Sequence, residues 1–344
     1  MKFKLFDFGS DVCIDLGTAN TLLYIKGKGI VVREPSVVAI DKYNQKVLAI
    51  GNDADEMLGR TPENIDAIRP VRDGVIADFE VTEAMMKRLM GLALGKIGGI
   101  FKPKVTVCVP SGITNVEKRA VVQSLSFAGA KTVTLIEEPM AAALGAGLEV
   151  MNPSGNMIVN IGGGTCEVAV IALGGVVSAR SLRSAGCAFD DAIMSYVKKK
   201  YNLTIGDKTA EEIKIELGSA LPYQEEGYYE MRGRDVITGL PKNIQISAGE
   251  VREAMSDILL NIIDEIRDTL EITPAELTAD ILENGITLTG GGALIRNIDK
   301  AIENEIGVPV RIANEPLDCV VLGTGMAADN DEIITRSAIG RRIN

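Results

Sequence analysis

One pattern, met once in each half of the chain, limits what this sequence can fold into more than any other. Apolar Val12 to Ile14 runs into Asp15-Leu16-Gly17-Thr18-Ala19-Asn20 and on into Leu22-Leu23-Tyr24-Ile25. Later, Met157-Ile158-Val159 runs into Asn160-Ile161-Gly162-Gly163-Gly164-Thr165 and on into Val168-Ala169-Val170-Ile171. Each is a β-hairpin signal, two apolar runs joined by a turn of Gly and small hydroxyl residues. No linker or low-complexity tract separates the two, so the repeat itself marks the organisation. It predicts two α/β halves of similar plan, layered sheets with helices on their faces and ligands at the carboxyl ends of strands.

The flanking sequence extends that plan. Val105 to Val109 reads as a strand, and Thr114-x-x-Glu117 as a capping box opening a helix that runs to about Ala128. In the second half, Thr273-Pro274-Ala275-Glu276 predicts a capped helix with Pro in its first turn, closed by Asn284-Gly285 before a strand Ile286 to Thr289. The stretch from about Ser181 to Ser247 differs in texture. It carries a helical run Phe189 to Lys200, a helix expected to be capped by Thr209-x-x-Glu212, and a polar strand-rich segment around Tyr228 to Val236. It reads as an insertion in the second half, with a smaller counterpart from about Val32 to Pro70 in the first.

Composition then excludes whole classes of chemistry. At 344 residues the chain suits two domains with ample core. The 36 Lys and Arg against 47 Asp and Glu leave a formal charge of −11, which argues against nucleic acid as a partner. There are no histidines, which removes Ser-His-Asp and Cys-His catalysis and histidine metal sites together. The five cysteines (Cys13, Cys108, Cys166, Cys187, Cys319) never form Cys-x-x-Cys, so reduced thiols fit better than zinc or disulfides. No run approaches the ~20 apolar residues of a membrane span, and the broken apolar N-terminus is too short for a signal peptide. A cytoplasmic protein is the expectation.

Three glycine clusters are candidates for phosphate chemistry, because glycine lets the backbone approach closely and turn several amides inward. Gly17-Thr18-Ala19-Asn20 and Gly162-Gly163-Gly164-Thr165 sit at matching positions in the two halves and can clamp a triphosphate from both sides. Thr289-Gly290-Gly291-Gly292-Ala293 follows a strand and precedes a helical run, Ile295 to Ile306, as in helix N-terminal nucleotide sites. It is neither a dinucleotide fingerprint nor a Walker A loop, and a plain strand-to-helix connection would look the same. Asp15 ends an apolar strand where it can hold water around Mg²⁺ or merely anchor the turn. Glu138, in Glu137-Glu138-Pro139 before the Ala-rich run Met140 to Gly147, can orient a water or simply favour a helix N-terminus.

Together these motifs resemble the actin-like ATPases, and within them the MreB/Mbl group of bacterial rod-shape-determining proteins. The resemblance is carried by IDLGTANTLLYIKGKGIVVREPSVVAID, GRTPENIDAIRPVRDGVIADFEVTEAM, VCVPSGIT, LIEEPMAAALGAGL, KKKYNLTIGDKTAEEIKIELGSA, RGRDVITGLPK and LTGGGALIRNID, from Asp11 to about Met326. It implies an α/β, actin-like fold of four subdomains around a nucleotide cleft. Domain I would span residues 1–144 and domain II residues 145–326, with 327–344 returning to domain I. It also implies ATP or ADP with Mg²⁺ as cofactors, with phosphate loops at Asp15 to Asn20 and Gly162 to Thr165 and an adenosine loop at Gly290 to Gly292. Glu138 would position the attacking water, Thr165 would assist hydrolysis, and Glu211 with Lys214, on one helix face, would contact the nucleoside.

The same resemblance implies self-assembly into paired protofilaments beneath the cytoplasmic membrane, working with the cell-elongation and wall-synthesis machinery. Phe3, Leu5, Phe6 and Phe8 alternating with Lys2 and Lys4, and Ile100 and Phe101 between Gly99 and Lys102, place apolar anchors beside basic residues, a pattern suited to an anionic bilayer. Both patches would equally serve as buried apolar segments. Three departures stand out: Asn160 where the family has Asp, Cys166 where it has a second Thr, and Cys187 after Gly186 where it has Asp. They leave backbone-mediated nucleotide binding intact and predict slow hydrolysis. A small-molecule kinase on the same core is the rival reading, against which the family blocks argue.

Overall fold

The computed structural model describes residues 11–95 and 102–336. Phe3, Leu5, Phe6, Phe8, Ile100 and Phe101 therefore lie outside the described residues. In the first half, β1 (Val12–Leu16), β2 (Asn20–Ile25), β3 (Gly29–Pro35), β4 (Lys104–Val109) and β5 (Thr132–Glu137) form one sheet in the order β5-β4-β1-β2-β3. In the second, β6 (Asn156–Ile161), β7 (Cys166–Ala172), β8 (Gly175–Leu182), β9 (Ile286–Thr289) and β10 (Val310–Ile312) form another in the order β8-β7-β6-β9-β10. Each sheet has an antiparallel three-strand meander extended by two parallel strands. The two topologies are therefore the same, as the repeated hairpin requires.

Helices cover both sheets: α1 (Phe79–Leu94), α2 (Asn115–Phe127) and α3 (Glu138–Gly145) in the first half, then α4 (Gly186–Tyr201), α5 (Asp207–Leu217), α6 (Ala248–Glu271), α7 (Ala275–Asn284), α8 (Ile298–Ile306) and α9 (Cys319–Ala328). Burial on both faces explains why the central strands read as continuous apolar runs. All seven residues of β7 are buried, as are five of the six in β4. One core lies around Met85, Leu89, Leu125 and Leu135, and a second around Phe189, Ile262, Ile266 and Leu288. Smaller three-stranded sheets occupy Val38–Asp41, Val47–Ile50 and Ile65–Ile68 in one half and Leu203–Thr204, Tyr228–Asp235 and Pro241–Ser247 in the other.

Helix α9 ties the molecule together, lying against α3 and β1 of the first half although it follows the last strand of the second. The crossing is close because glycines form it: a Cβ on Gly323 would fall 1.8 Å from the Ala141 carbonyl oxygen, and one on Gly145 equally near that of Cys319. Since α3 begins with Glu138, this packing fixes the helix that carries the candidate catalytic acid.

Several local expectations meet a different outcome. The Thr114–Glu117 capping box is present in full. The same pattern at Thr209–Glu212 is not, because α5 starts at Asp207 with Gly206 before it, and the Glu212 carboxylate instead accepts from the Tyr229 hydroxyl at 2.8 Å. Thr273 does not cap α7; its hydroxyl donates to the Thr269 carbonyl at 2.7 Å, and Pro274 stands at the cap position. The helix after the third glycine cluster begins at Ile298, not Ile295, with a 3₁₀ turn over Gly291–Leu294 intervening. A capping box at Ser247 and Glu250 opens α6, a Ser-x-x-Glu signal present in the sequence that the reading above passed over.

Candidate functional site

Strand ends from both sheets open into one cavity of about 490 Å³. Its walls include Asp15, Gly17, Thr18, Ala19, Asn20, Glu138, Asn160, Gly162, Gly163, Gly164, Thr165, Glu211, Lys214, Gly290, Gly291 and Gly292, so every candidate nucleotide and hydrolysis residue named from the sequence meets there. The first turn is braced from outside. Ser36 donates its hydroxyl to the Gly17 carbonyl at 2.6 Å and its amide to that of Ala19 at 2.9 Å, and Arg69 reaches the same Ala19 carbonyl at 3.2 Å. These bonds hold the carbonyls back and leave the turn compact.

The second turn faces the first across the cleft. A Cβ on Gly163 would sit 2.7 Å from the Ala19 Cβ, and one on Gly164 2.3 Å from the Thr18 hydroxyl. The Thr18 hydroxyl also accepts from the Gly74 amide at 3.3 Å. Glycine is thus required at 163 and 164 by contact between the loops themselves. At the third cluster the requirement is different: Gly290 has φ +81°, and a Cβ on Gly292 would fall 2.2 Å from Ile161 Cγ2. That cluster's glycines fit it tightly against the end of β6 while it lines the cavity.

The cleft floor is acidic. Asn160 on β6 donates from Nδ2 to Glu138 Oε1 at 2.7 Å, and its Oδ1 accepts from the Thr289 hydroxyl at 3.0 Å, which fixes the orientation of the amide. Burial pushes the Asp15 carboxyl up to about 6, and burial, then the charges of Glu167 and Asp15, hold the Glu138 carboxyl well above the usual range. Glu167 on β7 is completely buried, and burial pushes it up to about 7. Among the described residues, none of these three acids is in an ion pair with Lys or Arg. No group of three or more acids and thiols among them forms a ready metal cage.

At the other end of the cavity, α5 presents Glu211 and Lys214. The Lys214 ammonium lies 2.9 Å from the Asp190 carboxylate and 3.0 Å from the Gly186 carbonyl. Ile215 and Leu294, both exposed, supply apolar surface there, and Arg296 stacks its guanidinium 4.2 Å over Tyr223. Asp190, Arg69 and Arg296, which also line the cavity, were not among the residues singled out by sequence. Their signal is spatial, since each lies in a helix or loop whose own pattern is ordinary.

Comparison with known proteins places this arrangement. A family model described as MreB/Mbl protein matches residues 9–336. The chain belongs to the MreB/Mbl family. It is 49% identical over 324 residues to the cell shape-determining protein Mbl of Bacillus subtilis (strain 168), covering 94% of this chain and 97% of that protein. It is 51% identical over 326 residues to the cell shape-determining protein MreB of Escherichia coli (strain K12), covering 94% of each. Crystal structures of MreB 5 of Spiroplasma citri, bound to AMPPNP and to ADP, superpose with TM-scores of 0.89 and 0.90 at 39% identity, covering 94% of this chain and 97% of theirs. The fold is accordingly the actin-like one, and the relatives are cell shape-determining proteins. Among the described residues no helix is long and apolar enough to cross a membrane.

Proposed function

We propose that this chain binds ATP with Mg²⁺ in the cleft, hydrolyses it slowly, and assembles into paired protofilaments on the inner face of the cytoplasmic membrane, where they organise wall synthesis. The observation that carries the reading is the convergence of three glycine clusters, one from each parallel or hairpin strand end, on a cavity floored by acids. The phosphates would lie between Gly17–Asn20 and Gly162–Thr165, and the nucleoside between Gly290–Gly292 and the Glu211–Lys214 face. Our division of the chain into residues 1–144, 145–326 and 327–344 follows the two sheets, with α9 already packing back onto the first.

The donor set fits an ion that arrives with the phosphates. Asp15 is a hard oxygen donor, mostly buried and without a cationic partner among the described residues, and its elevated pKa means that a cation beside it would stabilise the ionised form. The described residues offer no complete cage, so Mg²⁺ would keep waters and phosphate oxygens as its other ligands, and when bound it would neutralise charge on the phosphates. Glu138 supplies the acceptor for a water proton, positioned through Asn160.

Slow turnover follows from Asn160. The amide holds Glu138 by a neutral donor where a carboxylate would add charge next to the ion. Asn160→Asp is expected to leave ATP affinity in Mg²⁺ little changed and to raise the single-turnover hydrolysis rate. Asp at this position gives up the Nδ2 donor to Glu138 and sets a second carboxylate beside it, so the gain is expected only with Mg²⁺ bound. There the added charge acts on the ion and its waters, and a charge-assisted bond formed in the transition state is worth about 1 to 3 kcal/mol, or roughly five-fold to over a hundred-fold. Equal rates for the two proteins at equal nucleotide occupancy would remove Asn160 from the account.

The membrane part rests on the apolar side chains of Phe3, Leu5, Phe6, Ile100 and Phe101 beside the basic Lys2, Lys4 and Lys102. Replacing Ile100 and Phe101 together by polar residues is expected to weaken binding to anionic liposomes at least ten-fold, since each large apolar side chain buried contributes about 1.5 to 3 kcal/mol. Co-sedimentation of the double variant at wild-type levels would exclude that pair as the anchor.

A further inference from the structure

Glu167 has no place in the reading so far, yet it is the acid most completely removed from water beside the cleft. A carboxylate in that position persists only where hydrogen bonds hold it. Two do: the Ser111 amide donates to Oε2 at 3.0 Å, and the Ser181 hydroxyl donates to Oε1. Ser181 belongs to β8, in the same sheet as Glu167. Ser111 belongs to the other half, two residues beyond the end of β4. The first of these bonds therefore crosses between the two halves.

The register shows what that crossing does. Asn160 on β6 and Glu167 on β7 are directly opposed partners in an antiparallel pair, so their side chains project on one face, about 5 Å apart at Cβ. Each grips the end of a different strand of the first-half sheet. Asn160 holds Glu138, the residue just past β5, and Glu167 holds Ser111, just past β4. Strands β4 and β5 are themselves parallel neighbours, with Val109 beside Glu137. The opposed pair thus closes on two adjacent strand ends as a two-pronged clamp.

We propose that Glu167 is a positioning residue for Glu138: by fixing Ser111 and the end of β4 against the second-half sheet, it holds the neighbouring β5 end at the depth where Glu138 meets Asn160 and the cleft. The proposal rests on the assignment of Glu138 to hydrolysis. The role belongs to the hydrogen bonds and their reach, so the neutral amide of glutamine can fill it, accepting from Ser111 and donating to Ser181. Aspartate keeps the charge and withdraws the carboxylate by one methylene, so it cannot reach across.

The test compares full-length wild type, Glu167→Asp, Glu167→Gln and Ser181→Ala by single-turnover ATP hydrolysis, ATP affinity and amide hydrogen exchange at Ser111 in nucleotide-free protein. The Asp variant is expected to hydrolyse about ten- to a hundred-fold more slowly with ATP affinity within about two-fold of wild type, as misplacement by an ångström does. Its Ser111 amide should exchange faster. The Gln variant should retain both the rate and the protection, and Ser181→Ala, which leaves the crossing bond in place, should hydrolyse like wild type. A wild-type rate or unaltered Ser111 exchange in the Asp variant overturns the proposal, as does a Gln or Ser181→Ala variant as slow as Asp. A wild type that hydrolyses nothing would instead refute the assignment of Glu138, and the exchange comparison would still decide whether Glu167 ties the halves.

Discussion

Glu138→Gln is expected to reduce ATP hydrolysis by roughly a hundred- to ten-thousand-fold, the range typical for removing a positioned general base, while ATP binding persists. The side chain keeps its length, and a flipped amide can still present its oxygen to Asn160 Nδ2, so the 2.7 Å tie across the cleft is retained in kind. What disappears is the capacity to accept a proton. Burial, then the neighbouring acids, raise the Glu138 pKa, so the wild-type carboxyl stops serving as a base as pH falls through that raised value, and the loss in the variant should be largest at high pH and shrink at low pH. Phosphate release in a single-turnover assay, with nucleotide occupancy measured in parallel, checks this. Hydrolysis within a few-fold of wild type would move the water-activating role to another residue.

The second large effect concerns the loops. Gly163→Val is expected to lower nucleotide affinity about a hundred-fold or more, because the two phosphate turns meet at this residue. A Cβ there already falls 2.7 Å from the Ala19 Cβ and 3.2 Å from the Ala19 amide nitrogen, and valine adds two methyl groups beyond it. The neighbours are backbone and a β-carbon, with no flexible end to swing aside, so the loops must separate. Separation costs convergent amide contacts to phosphate, each worth about 1.5 to 3 kcal/mol when the acceptor is charged, and two such losses exceed the hundred-fold mark. Titration of a fluorescent ATP analogue into a variant shown to keep a cooperative thermal transition measures it. Unchanged affinity would mean that phosphate lies elsewhere.

Much of the architecture was legible because the signals were local and repeated. The hairpin with its glycine turn recurs, and the two five-stranded sheets built on it share a topology down to strand order. The turns at Asp15–Asn20 and Gly162–Thr165 face each other because equivalent turns in two similar halves lie at equivalent strand ends. Local patterns failed where a distant partner competed. Thr209-x-x-Glu212 has the same form as Thr114-x-x-Glu117, but Glu212 finds the Tyr229 hydroxyl and the helix starts earlier, at Asp207 with Gly206 at the cap position.

Glu167 shows the complementary limit. In sequence it is one polar residue in an apolar strand, with nothing to separate it from a solvent-facing acid. Its meaning comes from Ser111 in the other half and Ser181 on the next strand, contacts that only the packed sheets create. Asp190 is similar: Lys214 was singled out with Glu211 as a nucleoside contact, and the acid that holds it comes from a different helix. Residues whose role depends on two halves meeting leave no periodic trace in either.

The central claim is that nucleotide in this cleft governs assembly of the chain with itself. The most direct measurement is sedimentation with negative-stain microscopy of the purified protein, with ATP, with ADP and without nucleotide, on anionic liposomes. The account predicts paired filaments on the lipid with ATP and Mg²⁺, few without nucleotide, and loss of the ATP response in Gly163→Val. Filaments equally abundant in all three conditions, or none with ATP and lipid at high protein concentration, would contradict it.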